Sequence, residues 1–175
     1  RNYLNENMPN WNKNTLYPEN MPYYYGKRES KDSNLERFAS SIKDSSSDKL
    51  TSSLKTTELN YCDLLTPLKN SGETLYLKQD SHWNNKGALI AYNEILDSLG
   101  KAHDDYADAK AVRTKNFYGD LGKMIYPSTQ QPEYNYEYDI HKTYSYVTPT
   151  KSVEEALIET KNDNATGRLY MYRDS

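Results

Sequence analysis

An α/β layered sheet is the fold class that the sequence predicts, and three observations predict it. Within the first hundred residues short apolar runs alternate with helix-period stretches, the pattern that builds layered sheets rather than bundles or sandwiches. At 175 residues the chain is long enough to bury one core. Further along, "EYNYEYDIHKTYSYVTP" alternates large and polar residues as half-exposed antiparallel strands do. Residues 1–175 are thus expected to form a single domain, with 101–150 as a Tyr-rich β insertion or covering flap within it.

The elements follow in order. "NKNTLYPENMPYYYGK" reads as a strand end running into an irregular loop. "SNLERFASSIKD" carries a capping-box pattern at Ser33 and Glu36, with Leu35, Phe38 and Ile42 at helical spacing, and "DKLTSSLKT" offers a second short helical stretch. "ELNYCDLLTPLKNSG" runs from a strand at Leu59 to Leu64 into a short helix that ends near Gly72. "TLYLKQDSHW" is a strand that opens into a polar turn. Asn84 or Asn85 then caps a helix whose apolar face is Ala88, Leu89, Ala91, Tyr92, Ile95, Leu96 and Leu99, with Gly100 after the last turn. Beyond the Tyr-rich segment come a strand at "EALIETKN", a turn at "DNATG" and a final strand at "RLYMYRDS".

Composition excludes several classes. Only 35% of residues are hydrophobic, against 18 Tyr, 2 Phe and 2 Trp, so much of the core has to come from phenol rings. A net charge of −3 with scattered Lys and Arg gives no footprint for nucleic acid or an anionic membrane surface. The single Cys62 excludes an intrachain disulfide and a cysteine zinc site, and is expected to be a small core residue. No run approaches a membrane span and no signal peptide opens the chain. Lacking an initiator Met and breaking off at "MYRDS", the sequence reads as a piece of a longer protein.

Chemistry concentrates in "DSHW". Side chains two apart in extended backbone share a face, so Asp80 can reach His82, fix its tautomer through the Nδ1 proton and stabilise the imidazolium. The alternative is that Asp80 only supports the helix start while His82 packs beside Trp83. A nucleophile is offered by Ser175, which follows an apolar strand pattern and Arg173-Asp174; a strand-to-helix turn exposes such a hydroxyl beside backbone N–H groups. His103 and His141 have no partner pattern and are expected on the surface or in strands.

"YLKQDSHWNNKGALIAYNEIL" resembles the signature of the DHHW family and of the related alginate O-acetyltransferases, within the SGNH hydrolase superfamily. "NKNTLYPENMP", "LNYCDLLTPLKN", "FYGDLGKMI" and "LYMYRDS" follow the order of segments in such proteins, so the resemblance covers Asn12 to Ser175. It implies a three-layer SGNH-hydrolase-like sheet with helices on both faces, incomplete at the C-terminus. It also implies Asp80 as orienting acid, His82 as general base and Ser175 as nucleophile, in the permuted order of these relatives. Ser81 stands at the second position of D-H-H-W in place of a His, and Arg173 replaces the Gly of G-D-S.

The expected function is ester chemistry, O-acetyl transfer or acetyl-ester hydrolysis, on a cell-surface or extracellular polysaccharide of an exported bacterial protein. No cofactor and no metal are expected, and any membrane link would lie in an anchor outside this chain. A non-catalytic carbohydrate-binding module on the same fold is the alternative, since tyrosine faces stack on sugar rings. Trp83, Tyr17 and Tyr118 are candidate substrate-binding residues, with Lys13 and Glu19 in the same early loop as Tyr17. A metal-dependent hydrolase built on Asp80 and His82 is a third reading, disfavoured because no further His or Cys pattern completes a site. "YGDLG" is read as a structural turn.

Overall fold

Apolar side chains from four stretches of the chain meet in one core: Leu16, Cys62, Leu64, Leu68, Leu75, Tyr76 and Ala91 are buried, with Tyr17, Leu65, Trp83, Ile90 and Ile95 packed on them. The structure is a computed structural model that describes residues 6–7, 16–20, 32, 37, 40, 60–149, 155 and 157–172. The chain divides into two compact units, Arg1–Tyr138 and Asp139–Ser175.

In the first unit the order is β1 (Glu6–Asn7), a 3-10 turn (Pro18–Asn20), β2 (Asn60–Tyr61), α1 (Leu65–Asn70), α2 (Asn85–Ser98), β3 (Ala111–Phe117), α3 (Asp120–Ile125) and β4 (Glu133–Tyr138). Strands β1 and β2 pair in parallel, Glu6 opposite Asn60 and Asn7 opposite Tyr61. Strands β3 and β4 pair antiparallel, with an irregularity between Lys115 and Phe117. The mixture of helices with parallel and antiparallel pairs is α/β in class.

The strand expected from Leu59 to Leu64 is shorter than its apolar pattern. Among the described residues only Asn60 and Tyr61 join the ladder, while Cys62 and Leu64 leave it and stay buried. Cys62 is the core residue it was expected to be, its thiol 3.6 Å from the Glu94 carbonyl of α2. The first turn of α1 is held by Asp63, whose Oδ1 accepts the Leu65 N–H at 3.0 Å and whose Oδ2 accepts the Thr66 hydroxyl at 2.9 Å.

The stretch before α2 folds back on itself instead of running as a strand. Tyr76 bridges to Trp83 antiparallel. On either side of that bridge Leu77 N–H donates to the His82 carbonyl at 3.3 Å and Asn84 N–H to the Leu75 carbonyl at 2.6 Å.

Helix α2 has the ends the sequence predicts. Asn84 is its N-cap, accepting the Gly87 N–H on Oδ1 at 2.9 Å. At the other end Gly100 N–H donates to Asp97 O at 2.9 Å and Lys101 N–H to Leu96 O at 3.0 Å, a Schellman closure. That closure needs the left-handed φ of 60° that Gly100 adopts without steric cost.

One strand is added and one expectation changes in this unit. "VRTKNF" is a strand that alternation of large residues does not announce, because its outward residues include Arg113 and Lys115, whose charges lie over the Tyr134 ring at 4.1 Å and 5.8 Å. His103 lies neither in a strand nor on open surface: its ring meets Tyr92 edge-on and its Nδ1 lies 2.9 Å from the Lys101 carbonyl.

In the second unit β5 (Ser145–Tyr146) pairs antiparallel with β6 (Thr160–Lys161). A turn follows at the "DNATG" segment, where Asn162 Oδ1 accepts the Asn164 N–H at 2.9 Å. The final strand predicted at "RLYMYRDS" is not formed over 168–172, where Tyr172 is 99% exposed and no ladder partner is present among the described residues. An alternating or apolar pattern becomes a strand only where a second backbone completes its hydrogen bonds. The helices predicted at "SNLERFASSIKD" and "DKLTSSLKT" lie outside the described residues, apart from Arg37 and Ser40, both helical. Among the described residues no helix is long and apolar enough to cross a membrane.

Asn84 does more than cap α2, since its buried Nδ2 also donates to the Thr74 carbonyl at 3.1 Å. Replacing Asn84 by Ala removes a cap and strands a carbonyl, and is expected to lower unfolding free energy by about 2 kcal/mol, measured by urea denaturation. Asn84→Asp should retain the cap bond but lose the donor, and fall between the two.

Candidate active site

The turn from Lys78 to His82 is suspended between β4 and α3. Glu133, at the start of β4, accepts the Lys78 N–H on Oε2 at 2.6 Å and the Gln79 N–H on Oε1 at 2.9 Å. Two residues on, buried Asn135 accepts the Asn85 N–H at 2.9 Å, and Asn85 returns its Nδ2 to the Tyr136 carbonyl at 2.7 Å. The turn and the start of α2 are thus clamped by one short strand.

From the other side α3 comes in at its N-terminus. Gly122 N–H donates to the Gln79 carbonyl at 3.1 Å, and Gln130 Nε2 donates to the Gly119 carbonyl at 2.8 Å. The backbones approach so closely that a Cβ on Gly119 would overlap the Gln79 carbonyl. Only glycine fits there.

Asp80 and His82 meet as the sequence predicts, but through different backbone geometry. The segment is a turn and not an extended strand. Asp80 Oδ1 accepts the His82 backbone N–H at 2.9 Å, an Asx turn, and the same oxygen lies 2.7 Å from His82 Nδ1. The other oxygen, Oδ2, accepts the Asp120 N–H at 3.0 Å. Burial by itself raises the Asp80 pKa, but the His82 and Asp120 backbone N–H groups and the imidazole together outweigh it and hold the carboxyl below its usual value. Asp80 is buried to 6% side-chain exposure while His82 is 52% exposed, so the acid is fixed behind a base that faces solvent.

Asp120 adds a second carboxylate. Its Oδ1 accepts the Ser81 N–H at 3.2 Å and its Oδ2 accepts the Ser81 hydroxyl at 3.1 Å, while Ser81 Oγ lies 3.4 Å from His82 Nδ1. "YGDLG" is therefore the start of a helix that completes the site, beyond the structural turn the sequence suggests. A signal existed in the Gly-Asp pair, since glycine permits the approach and aspartate follows it, yet nothing local says which turn they approach.

Asp80, His82 and Asp120 also place one ligand atom each within 4.8 Å of one another, a set that could hold a metal ion and that a search for further His or Cys misses. In the structure these atoms are engaged in hydrogen bonds, Asp80 with His82 and Asp120 with Ser81.

The remaining candidates differ in setting. Tyr17 is half-buried and uses its hydroxyl to accept the Leu75 N–H at 2.8 Å, stacking edge-on against Tyr76. Trp83 packs on the core beside His82. Tyr118 is 47% exposed and immediately precedes Gly119. Glu19 is exposed in the 3-10 turn. Ser175 and Lys13 lie outside the described residues.

The α/β unit thus sets a buried acid against a solvent-facing imidazole, on a turn held by β4 and α3. The match with known families agrees: the model for the SGNH hydrolase-like domain, acetyltransferase AlgX, covers residues 10–167, and the chain belongs to this family. The matched region contains Asp80, His82 and Asp120 and ends before Ser175. No curated protein and no solved structure matches the chain.

Two outcomes follow from this geometry. A carboxyl whose folded pKa is depressed stabilises the fold fully above its unfolded value, near 3.9 for Asp, and loses that contribution as pH falls through the lower folded value. Asp80→Asn should therefore be less stable than wild type at neutral pH, with the gap in Tm closing in acid; a gap independent of pH would exclude the ionised carboxylate as its source. Gly119→Ala should push α3 off Gln79, lower Tm and remove the slow exchange of the Asp120 amide proton, read by hydrogen exchange.

Proposed function

We propose that this domain catalyses acyl-ester chemistry, O-acetyl transfer or acetyl-ester hydrolysis, on a cell-surface or extracellular polysaccharide. The carrying observation is the 2.7 Å contact of His82 Nδ1 with buried Asp80, on a His82 side chain that is 52% exposed. Membership in the AlgX acetyltransferase family supports acetyl as the group moved. The DSHW segment is read as the DHHW-type signature with Ser81 at its second position, on a three-layer sheet of the SGNH kind.

In this reading His82 Nε2 accepts the proton of the Ser175 hydroxyl while Oγ bonds to the acetyl carbonyl carbon. The sugar alkoxide then leaves with that proton, and the acetyl ester on Ser175 passes to an acceptor hydroxyl or to water. Asp80 stays ionised throughout and stabilises the imidazolium. Trp83, Tyr17 and Tyr118 are assigned to substrate binding.

The test is release of acetate from an acetylated polysaccharide and from a chromogenic acetyl ester, using the longest form of the protein that can be expressed. His82→Ala and Ser175→Ala should each reduce the rate by about a thousandfold or more. Activity that survives both would overturn the triad, and sugar binding without turnover would favour a carbohydrate-binding module. EDTA should leave the rate unchanged; a loss restored by a divalent metal would assign Asp80, His82 and Asp120 to a metal hydrolase instead.

A further inference from the structure

We propose that Asp120 is a positioning residue that, through the Ser81 hydroxyl, protects the Nδ1–H tautomer of His82 that Asp80 sets by direct contact. Its kinetic consequence rests on the reading of His82 as a base, but its structural content does not.

The direction of each hydrogen bond follows from which groups have protons to give. Asp120 Oδ2 is 3.1 Å from Ser81 Oγ, and a carboxylate only accepts, so the hydroxyl hydrogen points at Asp120. With its hydrogen committed, Ser81 Oγ can only accept from His82 Nδ1, 3.4 Å away. Asp80 Oδ1, 2.7 Å from the same nitrogen, also only accepts. Among the described residues, the carboxylates of Asp80 and Asp120 beside the ring thus converge on one result. Nδ1 carries the proton, and the lone pair of the neutral ring sits on Nε2.

Asp80 sets this tautomer by direct contact. Asp120 protects it, because without an acceptor for its hydrogen the Ser81 hydroxyl is free to turn that hydrogen onto Nδ1 and favour the opposite tautomer. The backbone of Asp120 contributes separately, through its N–H on Asp80 Oδ2. A side-chain substitution leaves that bond in place.

Asp120→Asn reverses the relay with little change of shape. Asp120 Oδ1 accepts two backbone N–H groups, Ser81 at 3.2 Å and Leu121 at 2.7 Å. The amide oxygen of an asparagine must occupy that position, which turns its NH2 onto Ser81 Oγ. The serine hydrogen is then displaced toward His82 Nδ1.

The experiment is nitrogen NMR of the full chain labelled with 15N-histidine, recorded at alkaline pH where imidazoles are neutral, with His82→Ala used to assign the signal. Wild type should show the Nδ1–H tautomer for His82. Asp120→Asn should raise the Nε2–H fraction, and Ser81→Ala added to Asp120→Asn should return the ring to Nδ1–H, since no hydroxyl remains to invert. In the acetyl-ester assay Asp120→Asn should lower kcat at least about tenfold with KM little changed, a partial form of the wrong-tautomer loss known from serine proteases.

An Nε2–H tautomer in wild type overturns the proposal, as does an Asp120→Asn spectrum identical to wild type. Should Asp120→Asn not fold, Asp120→Ala frees the same hydroxyl and faces the same criterion. If wild type lacks esterase activity, the proposed function fails while the NMR result still decides the role of Asp120.

Discussion

A buried carboxylate is the constraint on which this site depends. Taking an ion out of water costs several kcal/mol unless its lone pairs find donors. Asp80 finds them in three places: the His82 backbone, the His82 ring and the Asp120 backbone. Each donor dictates a piece of architecture. The first makes residues 80–82 a turn, the second fixes the imidazole, and the third requires a helix start to arrive from forty residues further along the chain. Gly119 is the steric condition for that arrival.

The layer that completes the site is attached by polar side chains more than by apolar packing. Glu133 and Asn135 from β4, Gln130 from the connection and Asp120 from α3 all reach backbone groups of the turn and its neighbours. This suits a chain with few aliphatic residues and a mean hydropathy of −1.04. Leu68 and Leu75 fill the centre of a small core, and hydrogen bonds to backbone groups do the joining. Such bonds are directional, so they specify position as well as attachment. Met124, Ile125 and Tyr126 meanwhile remain largely exposed at the far end of α3.

What was legible in the sequence is what local pattern and short-range chemistry decide. Asn84 and Gly100 mark both ends of α2 because a cap needs a particular side chain and a left-handed residue needs glycine. Asp80 and His82 are two residues apart, and any turn or strand at that spacing lets them touch. Hidden from the sequence were features set by distant partners. Within the strand expected at Leu59–Leu64, the described residues form a two-residue ladder because pairing, not apolarity, defines a strand. In β4 the buried position is Asn135 and not a neighbouring tyrosine, because the amide serves the start of α2. Asp120 was invisible as a site residue for the same reason: its role depends on the turn it meets.

Within the four residues Asp80 to Trp83 the environment changes from buried to exposed and back to partly buried. An extended strand would alternate, placing Asp80 and His82 on one face with equal burial. The Asx turn breaks that symmetry by folding the carboxylate under its own chain, so the acid is sealed while the imidazole it orients emerges. A proton acceptor needs this inequality. If both groups were buried the base would have no route to a hydroxyl, and if both were exposed, water would compete for the carboxylate and weaken its hold on the ring. The turn resolves the conflict locally. The helix start that clamps it supplies the rest: Asp120 gives Asp80 a backbone donor and gives Ser81 an acceptor, so both neighbours of His82 Nδ1 can only accept.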